Sequence, residues 1–222
     1  MKQRQHLPTL FTLCVSLLAL SACGGLHFDA PPANPAAAPS QPGRTLATPQ
    51  ADGRTAEGGF VDGFAFAEKP GDVINNPLSF ANGAAHATGV IEPRRGSTWG
   101  GIAMTTSLSR GTRALDAASA RTLGISLAST GSSVLRVRLV GPNTTLRDSG
   151  CYPVATVHVD AELKEYALPI AAFFPESYCA ANAPTGAAAA GALTAVEVAD
   201  ATVAAGRRRQ VDFTVGVIRL LP

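Results

Sequence analysis

From Phe60 to the C-terminus, apolar side chains recur at every second position in short runs. Leu123, Ile125 and Leu127 alternate with Gly124, Ser126 and Ala128. Leu135, Val137 and Leu139 alternate with Arg136 and Arg138, and Ala155, Val157 and Val159 with Thr156, His158 and Asp160. Tyr166, Leu168 and Ile170 keep the spacing; Val196 and Val198 flank Glu197, and Val211, Phe213, Val215 and Val217 lead to the end. Side chains two apart share one face of a strand, so each run predicts a strand with one buried face. Turn residues separate the runs, at Ser129-Thr130-Gly131-Ser132, Gly141-Pro142-Asn143 and Ala205-Gly206-Arg207. Many short strands with Gly/Pro punctuation read as a β-sandwich or barrel. Residues 113–121 are expected to make one helical turn, and the alanines at 187–190 lie in a Pro/Gly-bounded loop, too few to hold a helix alone. The Arg207-Arg208-Arg209 run is expected at a hairpin tip.

The N-terminus follows a different pattern. Lys2 and Arg4 precede an apolar run at 10–20, too short to span a bilayer, which ends in Leu20-Ser21-Ala22-Cys23. A positive start, a short apolar run and small residues make a secretory signal. The tetrapeptide resembles a bacterial lipobox, which implies cleavage before Cys23 and acylation of that cysteine; a second acyl chain makes such an anchor stable. Gly24, rather than an aspartate, follows Cys23; by resemblance to the sorting pattern of enteric bacteria this implies the outer membrane of the cell envelope. Residues 23–59 are rich in Pro, Ala and Gly and carry no apolar period, so they read as a disordered tether. The expected organisation is a signal peptide over 1–22, a lipidated tether over 23–59 and a β-sandwich domain over 60–222.

Composition narrows the partners. The 222 residues are 46% hydrophobic and 15% charged, too apolar for a disordered chain. Removal of 1–22 leaves 16 basic and 16 acidic residues. A balanced charge excludes nucleic acid as the main partner, because phosphate neutralisation needs a basic excess. Cys14 leaves with the signal and Cys23 is taken by lipid. Cys151 and Cys179 remain in an oxidising compartment, which predicts a disulfide between them. Its closed loop is worth roughly 3–4 kcal/mol in the chain-entropy description.

The order of motifs resembles the galactose-binding-like jelly rolls, in particular family 11 carbohydrate-binding modules and the domains related to complex I intermediate-associated protein 30. The opening acidic, aromatic motif is Phe60-Val61-Asp62-Gly63-Phe64, followed by Trp99-Gly100-Gly101-Ile102-Ala103-Met104. Leu115-Asp116 then leads to Thr122-Leu123-Gly124-Ile125-Ser126-Leu127. Glu165-Tyr166-Ala167-Leu168-Pro169-Ile170 and the closing run from Asp212 to Leu220 complete the series. The chain departs from the family at Leu163 and Thr214, where tryptophan is frequent, and at Gly216 and Val217, where acids are frequent. The resemblance implies an all-β jelly-roll β-sandwich, no catalysis, and a glycan bound on the concave face of one sheet. The lost aromatics keep open a rival reading, a protein-interaction or scaffolding lipoprotein that docks an envelope protein.

Candidate chemistry follows from these placements. Arg136, Arg138 and His158 point away from the core-facing side chains of their strands and are expected to share one exposed surface. Trp99 and Glu165 are expected to line it as well. Arginine offers planar, multi-donor hydrogen bonding suited to sugar hydroxyls or carboxylates. The resemblance offers Asp62 and Asp212 as calcium ligands, but calcium needs six or more oxygens and Gly216 stands where a further acid belongs, so no cofactor is expected. Gly124-Ile125-Ser126-Leu127-Ala128 has the outline of a nucleophile elbow, yet falls inside an alternating strand rather than at a strand-to-helix turn.

Overall fold

The computed structural model describes residues 43–93, 97–109, 113–202 and 207–222. The expected signal peptide, Cys23 and the first part of the expected tether lie outside the described residues. Twelve strands run through the described residues: β1 (Arg44–Ala47), β2 (Phe60–Ala67), β3 (Val73–Asn75), β4 (Ser79–Ala81), β5 (Ala84–Ile91), β6 (Gly100–Ser107), β7 (Thr122–Ser129), β8 (Val134–Val140), β9 (Val154–His158), β10 (Lys164–Pro169), β11 (Ala195–Thr202) and β12 (Arg209–Leu221). They form two antiparallel sheets. The seven-stranded sheet has the order β10-β7-β12-β5-β3, with β1 on β12 and β4 on β5; the five-stranded sheet has the order β2-β6-β11-β8-β9.

The period-two runs bury the predicted faces. Leu135, Val137 and Leu139 of β8 and Ile102 and Met104 of β6 point inward from the five-stranded sheet. Leu123, Ile125 and Leu127 of β7 meet them from the other sheet, with Phe213, Val215 and Ile218 of β12. Each of these is at most 1% exposed, so one apolar core lies between the sheets. Asn82-Gly83 turns β4 into β5 with φ of 52° and 76° at the two positions, the left-handed pair that a two-residue hairpin requires. The fold is a jelly-roll β-sandwich, as the order of motifs implied.

Three expectations change. First, the folded part does not begin at Phe60. Strand β1 pairs with β12 (Arg44 opposite Leu220, Thr45 opposite Arg219), and Leu46 and Ala47 are buried. The following loop is tied by the Gly59 amide donating to Thr55 Oγ1 at 2.9 Å. The sequence hid β1 because it carries two apolar residues in a row, not an alternating run; its pairing partner lies at the far end of the chain. Second, residues 113–121 contain no helix. Leu115 exchanges both backbone hydrogen bonds with Leu193, and Asp116 Oδ1 accepts from the Ala118 amide at 3.0 Å, making a side-chain-supported turn. The alanine run does form a short helix (Gly186–Ala190), capped by Thr185 and held by burial of Ala189 and Ala190. Third, Arg207-Arg208-Arg209 is not at a hairpin tip. It follows the crossing from β11 in one sheet to β12 in the other, and Arg209 Nη1 lies 2.6 Å from Asp200 Oδ2.

Candidate functional site

The outer face of the five-stranded sheet gathers the chemistry. Register fixes which side chains are neighbours across it. Phe64, Ala103, Ala199, Arg136 and Thr156 form one row from β2 to β9. Asp62, Thr105, Glu197, Arg138 and Val154 form the next. The aromatic side chains of β2 form one wall and the arginines of β8 a charged one, three strand spacings apart, or about 14 Å. Ala103 and Ala199, joined by Gly101 of β6, make a low floor between them.

The aromatic wall is built from small-residue support. Phe66 lies opposite Gly101. A Cβ on Gly101 would come 2.4 Å from the Phe66 ring, so the ring rests directly on the backbone. Trp99 stacks on Phe66, with centroids 6.5 Å apart and planes at 25°. Phe64 meets Phe66 at 6.1 Å in a tilted pair. Glu68, one residue past β2, holds the Trp99 loop: its carboxylate accepts from the Thr98 amide at 2.7 Å and from the Thr98 hydroxyl. That amide bond lowers the Glu68 pKa below the ordinary value. Trp99 and Phe64 remain 47% and 38% exposed.

The charged wall consists of two ion pairs. Arg138 Nη1 lies 2.5 Å from Glu197 Oε1 on the neighbouring strand. Glu197 is 5% exposed; burial raises its pKa, opposed by Arg138 and then Arg136. The Nε of Arg138 is buried without a hydrogen-bond partner. Arg136 pairs with Glu176. Burial lowers the Arg136 pKa, and Arg138 beside it acts in the same direction.

Glu176 comes from a strap beside β9. Phe174 exchanges both backbone hydrogen bonds with Val154, which places its side chain on the same outer face. The Tyr178 hydroxyl reaches the Gly150 carbonyl at 3.4 Å, and the Cys151–Cys179 disulfide closes the end of the strap. The predicted disulfide is therefore present, and it also holds one wall of the trough in place. Phe174 and Tyr178 are 61% and 67% exposed.

The sequence-based site is partly assembled. Arg136, Arg138 and His158 share the outer face as expected, because β8 and β9 are adjacent and Val134 lies opposite His158. Trp99 joins the surface through Phe66. Glu165 does not. It sits on β10 in the seven-stranded sheet, 2.7 Å from Arg219 Nε, since sheet membership is not encoded in alternation. Asp62 and Asp212 do not converge either. Asp62 lies on the outer face of one sheet; Asp212 lies on that of the other, 3.0 Å from His86 Nε2. Among the described residues no group of three or more His, Cys, Asp or Glu is placed to hold a metal ion. Ser126 is mid-strand in β7 opposite Glu165, not at a sharp turn.

Sequence reasoning missed Phe66, Glu176, Tyr178 and the pairing role of Glu197. Phe60, Phe64 and Phe66 alternate with smaller residues, a signal for the aromatic row that was present. Nothing local announces that Glu176 meets Arg136, 40 positions away.

No family model matches the sequence, and no curated protein matches it. Solved structures do resemble the fold. A family 11 carbohydrate-binding module from Clostridium thermocellum, in complex with a β-1,3-1,4-mixed-linked tetrasaccharide, superposes with a TM-score of 0.50 at 12% identity, covering 80% of this chain and 96% of that one. The family 11 module of the cellulosomal cellulase Lic26A-Cel5E from the same organism gives 0.49 at 12% identity, over 82% and 96%. A family 30 carbohydrate-binding module gives 0.44 at 11% identity, over 79% and 85%. At these identities the likeness concerns the fold alone.

Proposed function

We propose that the domain binds a glycan across the outer face of the five-stranded sheet, without changing it chemically. The observation that carries this reading is the trough itself: an exposed Phe64–Phe66–Trp99 wall, a floor of Gly101, Ala103 and Ala199, and an Arg136–Arg138 wall with Glu176 and Glu197. Aromatic faces suit the apolar faces of sugar rings, and the guanidinium groups suit their hydroxyls. The fold shared with a module solved in complex with a tetrasaccharide supports the same reading. A glycan array probed with the purified protein tests it. Binding of at least one glycan, lost in the Arg136→Ala, Arg138→Ala double variant, is the expected result.

In the same reading the chain is an outer-membrane lipoprotein, held by acylated Cys23 with residues 24–42 as the spacer. Docking of an envelope protein on this face is the second reading. It is favoured by Phe174 and Tyr178, which are more exposed than the aromatics of the opposite wall. A negative array together with a captured envelope protein released by Phe174→Ala would select it.

A further inference from the structure

The trough carries two arginines and two carboxylates, and the carboxylates are held in different ways. Glu197 belongs to β11, buried at 5% and locked in the sheet register opposite Arg138. Glu176 belongs to the strap, outside any strand, and its side chain is 25% exposed against Arg136 at 29%. The strap is attached by the Phe174–Val154 bridge on one side and by the Cys151–Cys179 disulfide on the other. Arg136 is flanked by Arg138 two positions on, so without Glu176 the wall would hold two cations against one carboxylate. A guanidinium binds a carboxylate bidentately unless another carboxylate already occupies it.

We propose that Glu176 is a specificity-determining residue: it neutralises Arg136 and so restricts the trough to uncharged glycans, excluding carboxylate-bearing ones. The proposal rests on the glycan-binding reading above and adds the ligand's charge class. Glu176 acts by like-charge repulsion towards an acidic sugar and by occupying the donor fork that such a sugar would need. The disulfide serves the same end, because it keeps the strap, and with it the carboxylate, over Arg136.

The test compares the full chain and its Glu176→Gln variant in affinity electrophoresis, through gels containing polygalacturonate or neutral mixed-linked β-glucan. Glutamine keeps the shape and removes the charge. The wild type should migrate unretarded in polygalacturonate. The variant should gain affinity for it by roughly tenfold, the scale of one close, partly desolvated charge pair. The gain should weaken as ionic strength passes about 0.1 M, where the Debye length is about 10 Å. It should vanish in the Glu176→Gln, Arg136→Gln double variant, which separates it from retention by other surface arginines. A Cys151→Ser, Cys179→Ser variant, which frees the strap without touching either charge, should shift in the same direction as Glu176→Gln. No gain in Glu176→Gln, or a wild type already retarded as strongly, overturns the proposal. Failure of the wild type to bind any neutral glycan overturns the function above instead, and leaves the acidic-glycan gain as an independent readout.

Discussion

Glu197 is a carboxylate kept almost dry beside a guanidinium, and its burial outweighs that partner in setting its pKa above the ordinary value. A raised carboxylate pKa means that the folded state binds more protons than the unfolded one in the acidic range. The stabilising contribution is therefore fully present below the unfolded pKa of about 4.3 and is lost as pH rises through the folded value. Urea denaturation of the wild type and Glu197→Gln at pH 7 and pH 5 should show the wild type gaining relative to the variant at the lower pH. A relative loss would mean that Arg138, not burial, governs the group. Alternation put Arg136 and Arg138 on the polar face of β8 and His158 on that of β9, and the pairing of the two strands brings those faces together. Glu165 was misplaced because alternation defines a face of a strand but not the sheet that the strand joins. The partner of Arg136 was invisible for a related reason: the contact depends on a strap folded back beside β9.

At the scale of elements, two attachments matter. The Cys151–Cys179 disulfide closes a segment with a sequence separation of 28 around the strap. Cys151→Ala should lower unfolding stability by about 2–5 kcal/mol in chemical denaturation. If the strap is part of the site, ligand affinity should fall as well, under conditions where the variant is fully folded. Strand β1 is the second attachment. It covers the edge of β12 and buries Leu46 and Ala47. A chain beginning at Phe60 should unfold at a lower urea concentration than one beginning at Gly43; equal midpoints would show that β1 adds nothing. The strands with clear period-two runs were legible, since one side of each faces the shared core. Strand β1 was not, because its two buried residues adjoin a Pro-rich stretch and its stabilisation comes from pairing with β12. The helix expected at 113–121 failed through the same kind of override, as Leu115 pairs with Leu193.

At the scale of the whole molecule, the proposed function has two parts, a lipid anchor at Cys23 and a glycan-binding face on the sandwich. The anchor rests on Leu20-Ser21-Ala22-Cys23 alone. Metabolic labelling with a clickable fatty acid should mark the wild type and not Cys23→Ser; equal labelling of both would remove the lipid from the account. The jelly-roll fold was legible from the order of motifs, whereas the ligand face was legible only in part, because the trough is completed by residues brought together from four strands, a loop and a strap. The binding claim has a built-in reporter. Trp99 is the single tryptophan of the chain, 47% exposed and stacked on Phe66 in the aromatic wall. Its fluorescence should be titrated with soluble oligosaccharides selected on the array. The expected result is a saturable change in Trp99 emission with a neutral oligosaccharide, and an affinity at least about tenfold (~1.4 kcal/mol) weaker in the Arg136→Ala, Arg138→Ala variant. A bound oligosaccharide that leaves Trp99 emission unchanged, or whose affinity is the same in that variant, would contradict it.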